Sequence, residues 1–193
     1  MKNKKWIYIA IAVALGFYLI STYNGLVAQR QEVKAKWAQI EVQLQRRTDL
    51  ILSLVKTVKG YAKHESETLE KVTQARAKAT QITVDPDKLD AESMAKLTQA
   101  QGELSQALGR LMMITEAYPD LKANENFAML QTKISGCENR ISVERKRYND
   151  TAKVFNTTIL SFPKNIVANL LGFTEVAYYQ AEAGGNKAPD FEF

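Results

Sequence analysis

The chain has 193 residues with 26 lysines and arginines against 21 acidic residues, one cysteine and one histidine. Lys2, Lys4 and Lys5 supply most of the surplus positive charge, so the rest of the chain is nearly neutral, which argues against a nucleic-acid-binding domain. Cys137 cannot form an internal disulfide and His64 cannot assemble a usual zinc cluster, because each is the only residue of its type. With nine glycines and four prolines, the composition favours an all-α fold.

A membrane-spanning helix is predicted near the N-terminus. Residues 6–23 carry no charge and reach the lower end of the length that crosses a hydrocarbon core. Trp6 and Tyr23 stand at its two edges, where aromatic side chains favour the membrane interfaces. A cleaved signal peptide begins in the same way, but residues 26–28 make a poor cleavage site, so we expect the segment to be retained. Cleavage after residue 28 would instead leave a soluble secreted bundle.

The charges that flank residues 6–23 bear on orientation. The lysines before the segment favour a short cytoplasmic N-terminus within residues 1–23, with residues 24–193 on the outer side of the membrane. Arg30, Lys34 and Lys36 follow closely on the other side and weaken this asymmetry. The sequence therefore favours an orientation without deciding it.

Residues 24–161 are predicted to form an antiparallel up-down bundle of about four helices. In the first helix, side chains recur with the heptad spacing of a helix packed against partners. These positions are Val33, Trp37, Ile40, Leu44, Arg47, Ile51, Leu54, Val58 and Tyr61. Such a stripe requires partner helices, because helices in proteins gain most of their stability by burying an apolar face.

Three further helices are expected from local signals. A second helix is predicted over residues 66–82 and a third over residues 89–118, separated by an Asp-Pro turn at Pro86. Asn124 can cap a fourth helix, which ends before Pro163. Four antiparallel helices return the chain to the membrane-proximal end.

Residues 162–181 are predicted to form an apolar helix at the membrane-proximal end, with Leu170 and Leu171 buried. Its apolar face could lie in the bilayer interface, contact a neighbouring protomer or close the end of the core. The candidate contact residues are Ile166, Val167, Leu170, Leu171 and Phe173. Lys164 is the only positive charge beside them, so the sequence favours protomer contact or core closure over the bilayer. Residues 182–193 are predicted to be a flexible tail.

Arg47 occupies a heptad position where an apolar residue is expected. Because an unpaired buried guanidinium is very costly, we expect it to bond Glu103, Glu138 or Glu144 inside the bundle. The alternative is an arginine that extends along its neighbours to reach water.

Residues 118–124 form a candidate interaction tip far from the membrane. Its residues are Tyr118, Pro119, Asp120, Leu121, Lys122 and Asn124. The same run reads as a helix stop, a turn and a helix cap, with Leu121 closing the end of the bundle. The structural interpretation is favoured, because every residue of the run has a local role.

Several motifs resemble those of the LemA family. The residues that carry the resemblance are Tyr23, Asn24, Arg30, Val33, Trp37, residues 43–51, residues 58–62, His64, Glu65, residues 118–124, Phe127, Tyr148, Asn149, Phe155 and Asn156. The resemblance implies an all-helical bundle behind one membrane helix in the bacterial inner membrane, with no catalytic residue or cofactor. Family members are often described with the N-terminus outside, opposite to the orientation that the lysines favour.

The residue types that often carry chemistry have simpler structural interpretations. His64 and Glu65 are neighbours at a predicted helix junction, which fits a solvated turn better than an acid/base pair. Cys137 lies at a heptad position, where cysteine behaves as a small apolar core residue. No phosphate-binding loop or nucleophile motif is present in the sequence. We therefore expect no enzymatic activity, no metal, no cofactor and no small-molecule substrate.

Two classes of function remain. The first is a non-enzymatic, membrane-anchored scaffold or adaptor that self-associates and organises other membrane proteins or the bilayer. The second is an accessory subunit of a membrane protease or a transporter. The sequence does not choose between the two classes.

Overall fold

The computed structural model describes residues 2–62 and 64–180, with side chains from Lys5 onward. These residues form six helices and no strand, which confirms the predicted all-α fold class. The helices are α1 (Lys2–Tyr61), α2 (Ser66–Gln81), α3 (Ala91–Thr115), α4 (Pro119–Lys122), α5 (Glu125–Leu160) and α6 (Lys164–Leu170). The tail predicted for residues 182–193 lies outside the described residues.

Helix α1 is one continuous rod of 60 residues. From Lys5 to Ser21 its side chains are largely exposed, and continuous burial against the bundle begins at Thr22 and Leu26. It is long and apolar enough in this N-terminal part to cross a membrane, judged by length and composition. The helix passes through Gly25 without a break, so the apolar segment and the bundle share one axis.

The remaining long helices pack around the C-terminal part of α1. Helix α5 forms the most extensive pair with α1, while α2 packs against α3. Asp90 precedes the first residue of α3, and its side chain accepts a hydrogen bond from the Ser93 N–H at 2.9 Å. Asn124 likewise precedes the first residue of α5, and its side chain accepts from the Phe127 N–H at 3.0 Å. Both are N-caps, which give partners to N–H groups that the first helical turn leaves unpaired.

The core consists of two apolar clusters with a polar layer between them. On α1 the membrane-proximal cluster ends at Leu44 and the distal cluster begins at Ile51. Arg47 and Thr48 lie in the interval, and both are buried. On α3 the buried side chain of Gln101 lies at a comparable position, between Leu97 and Leu104 of the two clusters. The heptad stripe is therefore interrupted by polar groups at mid-length.

The prediction for residues 162–181 is wrong in two respects. Among the described residues 162–180, only Lys164–Leu170 are helical, after which the chain turns at Gly172 (φ 75°) and continues to residue 180 without regular secondary structure. Leu170 is 77% exposed and Leu171 47% exposed, where burial was expected. Val167 and Ala168 occupy the buried face of α6, and a residue two positions beyond Ala168 is rotated by about 200° to the opposite face.

Candidate functional site

Two asparagines on α5 hold the C-terminal strap, which we define as residues 173–180. Asn156 donates from Nδ2 to the Val176 carbonyl at 2.9 Å, and its Oδ1 accepts from the Val176 N–H at 2.9 Å. Asn149 makes the same pair of bonds with Tyr179, at 2.9 and 2.8 Å. A primary amide offers a donor and an acceptor side by side, as a backbone peptide does. The strap is therefore fixed in register through its backbone.

Buried aromatic side chains form the rest of the surface against which the strap packs. Tyr148 donates its phenol hydrogen to the Ala177 carbonyl at 2.7 Å, and the Ala177 N–H donates to the Leu89 carbonyl at 2.9 Å. Burial raises the pKa of the Tyr148 phenol, so the phenol remains protonated and able to donate. The Trp37 ring packs edge-on against Tyr148, with ring centroids 5.7 Å apart, and also contacts Tyr179. The strap is thus an integral part of the membrane-proximal core.

Arg30 on α1 joins the strap to the α2–α3 loop. Its Nη1 donates to the Thr174 carbonyl at 3.3 Å, its Nη2 donates to the Asp87 carbonyl, and its guanidinium carbon lies 5.5 Å from the centroid of the Phe155 ring. Lys34, one turn further along α1, forms an ion pair with Asp87 that lowers the pKa of that carboxyl. One arginine therefore holds two separate chain segments against α1.

Arg47 lies in the polar layer of the core and is only 2% exposed. Its Nη2 donates to Ser105 Oγ at 2.7 Å and lies 3.6 Å from Glu138 Oε1. The other two carboxylates bond elsewhere: Glu103 accepts from Lys78 Nζ at 2.7 and 2.9 Å, and Glu144 accepts from Arg147 Nη1 at 2.7 Å. Among the three carboxylates that the sequence offered, the structure brings Glu138 to the guanidinium.

The candidate tip at residues 118–124 is held by local bonds. The Tyr118 phenol donates to Glu65 Oε1 at 3.1 Å, which raises the pKa of Tyr118, and Asn124 Nδ2 donates to the Tyr61 hydroxyl at 2.8 Å. Leu121 is the buried residue of the short helix α4, which begins at Pro119. Lys122 pairs with Glu116, and Asp120 is exposed. These local contacts explain the conformation of residues 118–124, which close the distal end of the bundle.

An exposed apolar surface lies at the opposite, membrane-proximal end. We call it the apolar foot, and its side chains are Phe162, Ile166, Leu170 and Leu171. Phe162 is 81% exposed and precedes α6. The other candidate contact residues differ in placement: Val167 is buried, and the half-buried Phe173 ring packs edge-on against Tyr23 of α1, with centroids 6.2 Å apart. The foot is therefore beside the end of the apolar segment of α1.

No three histidine, cysteine, aspartate or glutamate side chains within residues 2–62 and 64–180 come together as a metal site. A groove of about 160 Å³ lies among α1, α2 and α3, and Trp37 and Gln101 are among its lining residues. Trp37 Nε1 and Gln101 Oε1 are buried without a protein partner. A groove of this size that holds a lone donor and a lone acceptor suits a few ordered waters.

A family model described as the LemA family matches residues 36–193. The chain belongs to the LemA family. It is 30% identical over 165 residues to "Protein LemA" of Metamycoplasma hominis, covering 86% of this chain and 72% of that protein. It is also 30% identical over 185 residues to "Magnetosome protein MamQ 2" of Paramagnetospirillum magneticum, covering 87% of this chain and 68% of that protein. "Magnetosome protein MamQ" of Magnetospirillum gryphiswaldense is 27% identical over the same shares.

The structure gives a physical role to the residues that marked this chain as a LemA protein. The Tyr-Asn and Phe-Asn pairs at residues 148–149 and 155–156, together with Arg30 and Trp37, converge on the strap. Sequence reasoning assigned none of them to a site. The available signal was a pair of asparagines seven residues apart on a helix whose heptad positions are buried, because a buried amide needs a polar partner.

Proposed function

We propose that this LemA-family chain is a non-enzymatic, membrane-anchored scaffold that displays a rigid helical bundle at the surface of the bacterial inner membrane. The observation that carries the proposal is the continuity of α1. Its exposed apolar N-terminal part and its buried bundle part form one helix, so the bundle cannot swing freely about a linker. A rigid connection suits a protein that holds partners at a fixed distance and angle from the bilayer.

The use of polar side chains supports a non-enzymatic role. Among the described residues, two buried polar side chains hold parts of the fold together: Arg47 bonds to Ser105 in the polar layer, and Asn156 holds the strap. The relatives' names describe a magnetosome protein or a family member, and none of them describes a catalytic activity. Self-association and binding of other membrane proteins are part of the proposal, because a scaffold acts through its contacts. The lysines before residue 6 support a cytoplasmic N-terminus with the bundle outside.

Anchoring is tested by comparing the full chain with an Ile9→Lys, Val13→Lys variant after alkaline extraction of membranes. Both side chains are exposed and lie four residues apart on one face of α1, far from the bundle. Because two lysines inside an apolar span are costly to insert, we expect the variant to leave the membrane fraction with its bundle folded. A wild-type chain that is itself extracted would contradict anchoring.

The scaffold role is tested by the mass and composition of the particle extracted in mild detergent. A homo-oligomer, or a chain that captures several membrane proteins in variable ratio, supports a scaffold. A fixed stoichiometry with one membrane protease or transporter would contradict it and would favour the accessory-subunit alternative.

A further inference from the structure

We propose that the apolar foot inserts into the boundary between headgroups and acyl chains of the leaflet at which α1 leaves the membrane. The bundle would then contact the bilayer at two points, through α1 and through Phe162, Ile166, Leu170 and Leu171. This inference rests on the proposed membrane anchoring and adds to it a lipid-binding surface on the bundle itself.

The height of the foot along α1 is the first argument. Residues 6–23 extend over about 27 Å at 1.5 Å per residue, close to the thickness of the hydrocarbon core, so Tyr23 lies at the interface. Phe173, two residues after the foot, packs against Tyr23. Thr158 and Lys164 line one cavity together with α1 residues from Tyr18 to Gln29. The last turn of α5 and the start of α6 are thus level with the membrane-water boundary.

The division of side chains around α6 is the second argument. Val167 and Ala168 face the bundle and are buried, whereas Ile166 and Leu170, four residues apart, face outward and are exposed. Phe162 lies in the turn before α6, two residues ahead of its first residue, and is also exposed. Exposed apolar clusters of this kind mark contact surfaces, and the outward direction of Leu170 removes core closure as their role.

The charge around the foot is the third argument. No acidic residue occurs from residue 151 to residue 174, whereas Lys153 and Lys164 lie in that interval. A segment without carboxylates adds no repulsion of its own toward anionic lipid headgroups, and its two lysines add attraction. Electrostatic attraction by two lysines alone is weak. It is sufficient here because α1 already holds the foot at the surface, which makes its insertion an intramolecular step at high effective concentration.

The experiment uses an environment-sensitive fluorophore on single introduced cysteines of the full chain. The variants are Leu170→Cys in the foot, Phe17→Cys in the apolar segment of α1 and Met113→Cys near the distal end. These side chains are similarly exposed, at 77%, 74% and 68%. Cys137 is buried, so the unsubstituted chain gives the labelling background. Each protein is labelled in detergent and reconstituted into vesicles of phosphatidylethanolamine and phosphatidylglycerol, with and without lipids that carry a nitroxide quencher near the headgroup end of the acyl chain.

We expect the label at residue 170 to be quenched several-fold more strongly than the label at residue 113, with a blue-shifted emission. Quenching at residue 17 but not at residue 170 would overturn the foot and leave the anchoring intact. Absence of quenching at both positions would overturn the anchoring and the foot together. A blue shift at residue 170 without lipid quenching would mean that a second copy of the chain covers the foot, which would also overturn the proposal.

Discussion

Asn156 and Val176 exchange two hydrogen bonds, so that a helix side chain pairs with a backbone peptide as one strand pairs with another. The side-chain Nδ2 donates to the Val176 carbonyl and Oδ1 accepts from the Val176 N–H, both at 2.9 Å, and both residues are buried. Asn149 repeats the arrangement with Tyr179 one heptad earlier on α5. The strap therefore gains strand-like pairing without a sheet.

Asn156→Ala is expected to lower the free energy of unfolding by about 2–6 kcal/mol. The substitution leaves two buried backbone groups of Val176 without partners, and each unpaired group costs about 1–3 kcal/mol. The measurement is urea unfolding together with amide hydrogen exchange, which should accelerate at Val176 and Tyr179. Asn169→Ala, at an exposed position of α6, is the control and should change neither quantity. Unchanged exchange in the strap of the Asn156→Ala protein would contradict this role.

We expect Arg47 to stabilise the bundle mainly through the volume that its side chain occupies in the polar layer, and less through its charge. Arg47→Met keeps most of the side-chain volume and leaves Glu138 free to hydrate, since Glu138 is 45% exposed. We expect Arg47→Met to change the free energy of unfolding by less than about 1.5 kcal/mol, and Arg47→Ala to lower it by about 2–4 kcal/mol through the cavity it leaves.

The two Arg47 variants are compared by urea unfolding at neutral pH. Glu138→Gln is the control for the ion pair itself. Because Glu138 is 45% exposed and lies 3.6 Å from Arg47 Nη2, we expect a loss below about 1 kcal/mol. Equal destabilisation by methionine and alanine would show that the charge of Arg47, and not its volume, is what the core needs.

The long helices could be predicted because their signals are local. Heptad spacing identified α1, α3 and α5, and the start of α5 follows from the capping chemistry of Asn124. The partner of Arg47 could not be chosen from the sequence, because three carboxylates were predicted at similar heights. The structure separates them through neighbours on other helices: Lys78 engages Glu103, and Glu138 is left beside the guanidinium.

The membrane-proximal end could not be predicted for a different reason. Residues 162–173 are apolar at most positions, so no periodicity distinguishes a buried face from an exposed one. The position of the strap determines which face of α6 is buried and which is exposed. The strap is in turn held by Asn149, Asn156 and Arg30, which are distant from the strap in sequence. Tertiary contacts therefore decided the orientation of Leu170 and Leu171.

The Asp90 cap is expected to make stability depend on pH in the acidic range. The hydrogen bond from the Ser93 N–H lowers the pKa of the Asp90 carboxyl in the folded chain. Because the folded pKa lies below the unfolded one, the contribution is complete above about pH 4 and is lost as pH falls through the lower folded value. Asp90→Asn retains a cap that does not titrate.

We therefore expect the stability of the wild-type chain relative to Asp90→Asn to fall on acidification below about pH 4. The measurement is the urea midpoint of both proteins at a series of pH values. A difference between the two proteins that stays constant, or that moves in favour of the wild type at acidic pH, would contradict the cap.

Arg30→Lys is expected to loosen the strap and the α2–α3 loop together. The planar guanidinium reaches the Thr174 and Asp87 carbonyls from two nitrogens while it stacks on Phe155, whereas an ammonium donates from a single point and cannot do all three. We expect a loss of about 1–3 kcal/mol in the free energy of unfolding, with faster amide exchange in residues 87–89 and 174–177. Arg46→Lys, on the exposed face of α1, is the matched control. Faster exchange in only one of the two segments would show that Arg30 does not couple them.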